Sequence, residues 1–207
     1  TFNFNAIDQS GNGNDGIVNG ATLTSDAIGN PNRAYSFDGT SHIEIPGSPL
    51  INSFLTDRTI HLQFKSNDAS VRQTIWTEGS GTNGISIYLD NSKIYAGVYS
   101  NANGWSGNWL SSTVTSNHWY SISFIFSNSG DLELFVDGNS VARSTGGSSL
   151  ATHNPAFIGA NIGVANTHDN NTSANNFIGV IDNITIWNRA LSTQEILHHQ
   201  NQLNQLS

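Results

Sequence analysis

Apolar and polar residues alternate with a period of two along nearly the whole chain, in short runs closed off by turn formers. Residues 34–37 (AYSF) lead into Asp38-Gly39, and residues 42–45 (HIEI) run up to Pro46. The pattern returns at 59–65 (TIHLQFK), 74–78 (TIWTE), 85–89 (ISIYL), 93–99 (KIYAGVY), 119–126 (WYSISFIF), 132–136 (LELFV), 141–143, 156–159 and 177–187. A helix repeats its face every 3.6 residues, so this spacing marks half-buried strands. Asp90-Asn91 and Asp137-Gly138 read as hairpin turns between neighbouring runs. Roughly a dozen short strands in this order predict an all-β fold, a two-sheet antiparallel β-sandwich (jelly roll) whose facing residues fill the core. One short C-terminal helix follows. Ser192-Thr193-Gln194-Glu195 is a capping box, with Ile196, Leu197, Leu203 and Leu206 as its apolar contacts.

At 207 residues the chain is within the length of one sandwich, and no linker, repeat or low-complexity tract divides it, so residues 1–207 read as a single domain. It has no cysteine, and its core must hold without disulfides. Fifteen acidic residues against seven basic ones give a formal charge of −8. Without a basic stripe, neither nucleic acid nor an anionic membrane surface is a fitting partner. No apolar run reaches the ~18 residues of a membrane span. Only 11% of residues are charged, and Asn, Ser, Thr and Gly supply the polar surface. That surface hydrogen-bonds rather than ionises, which suits a secreted or cell-surface protein facing hydroxyl-rich ligands. The chain starts at Thr1 and contains no Met, so it reads as a processed or excised part of a larger multidomain protein.

Three segments carry a likeness: residues 8–16 (DQSGNGNDG), residues 34–46 with AYSFDG and HIEIP, and residues 177–196 with FIGVIDNITIWNRALS and Glu195-Ile196. The LFVDG at 134–138 adds a fourth. In this order they resemble the LamG-like jelly-roll branch of the concanavalin A-like lectin/glucanase superfamily, the laminin G and pentraxin-like branch. The resemblance implies the sandwich fold and leaves lectin, adhesion and glycanase roles open. It also implies a structural calcium between the N-terminal loop and the start of the last long strand, which on this sequence assigns Asp8, Asn12, Asp15, Asp38 and Asp182 as ligands. The residues 8–16 themselves suit either role. Ca²⁺ takes six to eight oxygens, and a Gly-rich Asp/Asn loop supplies them, but Asn, Asp and Gly are equally the residues of ordinary tight turns.

Glycan hydrolysis needs two carboxylates about 5–10 Å apart across the scissile bond. Asp131, Glu133 and Asp137 alternate along one run, yet the Glu-x-Asp-x-x-Glu array of the resembled glucanases is absent. The run reads better as a hairpin with Leu132, Leu134 and Val136 inside. His198 and His199 form a solvated pair on the helix, while His61, His118 and His153 are isolated. HExxH, GxSxG and phosphate-binding loops are missing, and no thiol is available. The Arg-rich strand and Gln-x-His strand of a jelly-roll lyase are missing too. The expectation is a protein without catalytic residues.

Sugar recognition stacks an aromatic face on pyranose C–H groups among planar amides, and Trp and Tyr give that surface at low entropic cost. Trp105 and Trp109 stand among Asn, Ser and Gly, unlike Trp119 and Trp187, which lie in strands and read as core. Ligand contact and loop packing both account for the first two. Trp76, Glu78, Tyr88 and Tyr99 complete the candidate ligand-binding set on neighbouring strands, with core or ordinary sheet surface the stronger alternative for Trp76, Glu78 and Tyr88. The loop 165–176, with His168 and Asp169, is a rim contact, a second calcium loop or a solvated loop. The chain therefore reads as a non-catalytic, lectin-like carbohydrate-binding module of a larger secreted or cell-surface protein, its partner a polysaccharide or other glycan and its cofactor a structural calcium. The alternatives are a non-sugar adhesion or spacer domain, or a divergent glycanase or polysaccharide lyase of the same fold.

Overall fold

The computed structural model describes residues 2–205 apart from 3, 53–56, 81, 101–108, 128, 146–152, 154 and 163–164. Two antiparallel sheets pack face to face. The first runs β1 (Ile17–Asn19), β4 (His42–Ile45), β13 (Ala156–Ile158), β6 (Gln73–Gly79), β7 (Asn83–Asp90), β8 (Lys93–Ser100) and β9 (Trp109–Thr113), with β14 (Asn175–Asn176) parallel beside β6. The second runs β12 (Asn139–Ser144), β11 (Leu132–Val136), β10 (Trp119–Phe126), β5 (Arg58–Ser66), β15 (Ile178–Trp187), β3 (Ala34–Asp38) and β2 (Thr22–Thr24). Two helices complete the fold, α1 (Pro49–Asn52) and α2 (Thr193–Gln205). The predicted sandwich with one C-terminal helix is what forms.

Alternation sets what each sheet buries. Ile60, Leu62 and Phe64 of β5 lie opposite Phe124, Ile122 and Tyr120 of β10, and all point inward. Ile85, Ile87 and Leu89 of β7 face Ile94, Ala96 and Val98 of β8 in the same core. The β7–β8 turn is centred on Asn91-Ser92, one residue later than the sequence suggests, with φ of 49° and 59°. Two successive positive φ values make it the primed turn whose twist matches a hairpin.

The core also holds a charge pair. Arg58, on the inward face of β5, reaches across to Glu78 on β6 at 2.5 Å, with both side chains at most 1% exposed. Arg58 donates as well to the Ile51 carbonyl, and His153 Nε2 stands 3.9 Å from Glu78. Trp76, two residues before Glu78, is fully buried in the same core. Trp76 and Glu78 therefore point between the sheets, where no glycan reaches them, and are corrected from ligand contacts to interior residues.

Helix α2 covers part of the outer face of the second sheet. Its capping box forms as read: Ser192 N–H donates to Glu195 Oε2 at 2.8 Å, and Glu195 N–H returns to Ser192 Oγ at 3.3 Å. Ile196 and Leu191 pack on Ile125 and Phe135, with Trp187 beside them. Leu197 is exposed instead, and Leu206 lies outside the described residues. Trp187 is thus a half-buried support of the helix rather than a core residue, and Trp119, also half-buried, carries Lys65 Nζ 5.6 Å from its ring centroid.

Candidate functional site

The outer face of the first sheet bears a continuous aromatic cluster. Tyr88 on β7 and Tyr95 on β8 are direct cross-strand partners, stacked at 5.3 Å between centroids with an 11° interplanar angle. Trp109 opens β9 opposite Gly97, whose missing side chain leaves space between Tyr95 and Tyr99. Its indole lies parallel to Tyr99 at 6.5 Å and edge-on to Tyr88 at 5.6 Å. Trp109 and Tyr95 are half-buried, and the indole N–H of Trp109 meets no acceptor.

The connection between β13 and β14 folds onto this face. Asn161 braces it, accepting from Ala165 N–H at 2.6 Å and donating to the carbonyls of Ala165 and Thr172. The His168 backbone N–H donates to the Tyr88 hydroxyl at 2.8 Å, and its ring Nδ1 bonds the same oxygen at 2.6 Å. The imidazole stacks on Tyr95 at 4.2 Å and 7°. Tyr88 is covered completely, and burial pushes its phenol well above the usual range. Tyr99 is covered as well, donates to the Ser80 carbonyl at 2.6 Å and is likewise raised by burial. Among the described residues, the aromatic surface of this cluster left open to a ligand is therefore Tyr95, His168 and Trp109.

A charged cluster closes one end of the stack. Arg72 donates to both Asp169 oxygens, at 3.1 and 2.8 Å, and to Asp90 Oδ2 at 2.5 Å. The guanidinium hydrogen bonds hold the Asp169 carboxyl down at about 2. Two carboxylates thus share one cation, leaving an excess of one negative charge. Asp169 stays ionised at neutral pH and has no proton to give as a general acid.

Of the six predicted ligand-binding residues, the structure brings Tyr88, Tyr99 and Trp109 together on this face, turns Trp76 and Glu78 inward, and Trp105 lies outside the described residues. Sequence reasoning missed Tyr95, Arg72 and Asp90. One signal was available for the first: Tyr88 and Tyr95 are equally far from the Asn91-Ser92 turn, which makes them opposite neighbours.

The predicted calcium ligands fall in three places. Asp8 receives Ser10 N–H on Oδ1 and Asn14 N–H on Oδ2, at 2.8 and 3.0 Å, while its own N–H donates to Asp15 Oδ1. Asn12 is bound to Ser10 Oγ. Asp38 caps the β3–β4 turn, accepting from Thr40 N–H and Ser41 N–H at 2.9 Å each, and these bonds hold its carboxyl down at about 2. Asp182 is fully buried, accepts from Phe2 N–H on Oδ1, and its Oδ2 has no partner. Among the described residues no three carboxylate or imidazole side chains converge as a metal centre.

The carboxylates of the weighed catalytic run are engaged elsewhere. Glu133 pairs with Arg143 at 2.5 Å, Asp131 accepts from Ser129, and Asp137 accepts from Ser121 N–H. The irregularity beside this run lies in β12, where Val141 is skipped between the Leu134–Ala142 and Phe135–Ser140 pairs, so β11 keeps its alternation.

Solved structures share this architecture. Domain 4 of AbnA, an extracellular arabinanase from Geobacillus stearothermophilus, solved in complex with arabinotriose, matches with a TM-score of 0.70 and 18% identity over 94% of this chain and 92% of that one. The binding domain of Paraclostridial Mosquitocidal Protein 1 matches with a TM-score of 0.76 and 14% identity over 98% of this chain and 51% of that one. The binding domain of botulinum neurotoxin serotype G gives 0.75 and 13% over 95% and 48%. The chain thus spans about half of each toxin domain and nearly all of the arabinanase domain. At these identities the likeness is one of fold. No curated protein sequence matches the chain. A laminin-G family model matches residues 37–197, from β3 into α2, and the chain belongs to the concanavalin A-like lectin/glucanases superfamily.

Proposed function

We propose that this protein is a non-catalytic carbohydrate-binding module that holds a neutral glycan on the outer face of its first sheet. The observation that carries the reading is the half-buried run of Trp109, Tyr95 and His168, fixed from beneath by Tyr88 and Tyr99. Rings locked by packing present a flat apolar surface with little entropy left to lose on binding. The Arg72–Asp90–Asp169 cluster, net negative, stands against acidic sugars.

The arabinanase domain, whose structure holds arabinotriose, supports a sugar-holding role in a larger secreted enzyme. Secretion and attachment to a further domain follow from the same reading. No helix of the described residues is long and apolar enough to cross a membrane.

Affinity electrophoresis through neutral and uronate-containing polysaccharides, with arabinotriose as a soluble competitor, tests the proposal. Retardation by a neutral polymer and not by the uronate, with no release of reducing sugar, is the expected result. Retardation by the uronate alone, or turnover of any polymer, contradicts it.

A further inference from the structure

A cavity of about 300 Å³ lies between the sheets beneath the N-terminal segment, at a distance from the aromatic face. Its inner wall is aliphatic: Ile43, Ile45, Ile51 and Ile158 from one side of the sandwich, Ile184 and Ile186 of β15 from the other. The space opens to solvent at the N-terminal turn, and Thr185 and the polar groups of the turn line it as well. Against the isoleucine wall, water lacks the two to four polar partners that hold buried solvent.

The polar atoms gather at one end, in the N-terminal turn. Asp8 has both oxygens engaged by backbone amides. The side-chain amides of Gln9 and Asn12 donate within the turn, to the Ile7 carbonyl and to Ser10 Oγ, which leaves their oxygens as acceptors. Asn14 Oδ1 already takes the Ser48 hydroxyl at 2.6 Å. Gly16 closes the roof: a Cβ there would stand 2.8 Å from Ile43 Cγ2, so the segment can pass this close only without a side chain. The lining offers acceptors and one carboxylate at the mouth, and no cationic side chain.

We infer that this cavity is a second binding site, for a small uncharged molecule with a short aliphatic chain and a hydroxyl head. The chain replaces missing wall contacts, the hydroxyl donates to the acceptors at the mouth, and an anionic head is repelled by Asp8.

The test is a titration of the unmodified protein, its isoleucine methyl groups labelled with ¹³C, with 1-hexanol and separately with hexanoate. Shifts that saturate with a Kd on the order of 1 mM, confined to the six isoleucines of the wall, are expected for the alcohol. Hexanoate should bind at least 10-fold more weakly. Ile184→Trp, which fills the space, should abolish the response while the other methyl signals stay in place. Absence of shifts up to 20-fold above that Kd, equal binding of hexanoate, or shifts spread to Ile87 and Ile122 would overturn the assignment.

Discussion

Arg58 and Glu78 place two full charges where water does not reach, and the sandwich tolerates them only as a pair. Removing one partner leaves an uncompensated buried charge, which costs about 3–5 kcal/mol, whereas replacing both with apolar groups of similar volume is often neutral or better. Arg58→Met or Glu78→Leu alone should therefore lower stability by that amount in urea unfolding, and the double variant should recover most of it. Equal losses in single and double variants would deny the coupling. The contrast with Asp169 is instructive, because that carboxylate sits at the surface and its held-down proton affinity comes from Arg72. A folded-state value near 2, below the ordinary carboxylate value, means its contribution is present above about pH 4 and is lost as pH falls toward 2. In Arg72→Gln the unfolding midpoint should depend less on pH over that window.

At the scale of the element, helix α2 is seated on polar as well as apolar groups. His61, fully buried on β5, bonds Ser123 Oγ at 2.9 Å, and its ring meets His199 of α2 edge-on at 4.4 Å. The Gln200 side chain receives the Ser121 hydroxyl, and Trp187 flanks His199 at 5.1 Å. Burial holds both imidazoles below their usual proton affinity, so both are neutral in the folded protein. An unfolded chain takes those protons near pH 6.5, so the helix's seating is complete above that pH and weakens as pH falls below it. Amide exchange in α2 should quicken between pH 6.5 and 5 ahead of the sheets, and His199→Gln should lessen that step while His61 keeps its share. Unchanged protection of α2 across this range would refute the seating.

The elements were legible because the period-2 pattern and turn residues both act locally. The β4, β10 and β11 boundaries agree with the runs read from sequence. The three-residue strands β1 and β2 were not legible, being too short and too exposed to show alternation. Trp109 was read as part of a loop, although it opens β9 and takes its place from pairing with β8. The aromatic face was legible only in part. Tyr88 and Tyr99 stood out as residues, but what covers them is a loop about 70 to 80 positions away, and Arg72 meets Asp169 across 97 positions. Between the ligand and core readings of Trp76 and Glu78 the sequence could not choose, because alternation does not say which face is inside, and a buried carboxylate is recognised only with its Arg58 in view.

For the molecule as a whole, the two outer faces differ in kind. The second sheet carries α2 over part of its outer face, and the first carries a half-covered aromatic stack with a charged end. The Asp8 turn is tied by backbone amides, and the midpoint of thermal unfolding should be the same with and without a chelator, since an ion bound only to the folded state would raise it. A drop of several degrees in chelator would return the N-terminal turn to the list of cation sites. The most direct check of the account is calorimetric titration of a neutral oligosaccharide into the unmodified protein, Trp109→Ala and Tyr95→Ala. Truncating an aromatic anchor costs ~2 kcal/mol, so each variant should bind about 30-fold more weakly while still unfolding in one cooperative transition above the temperature of the titration. Full affinity in both variants would contradict the claim that this face holds the sugar.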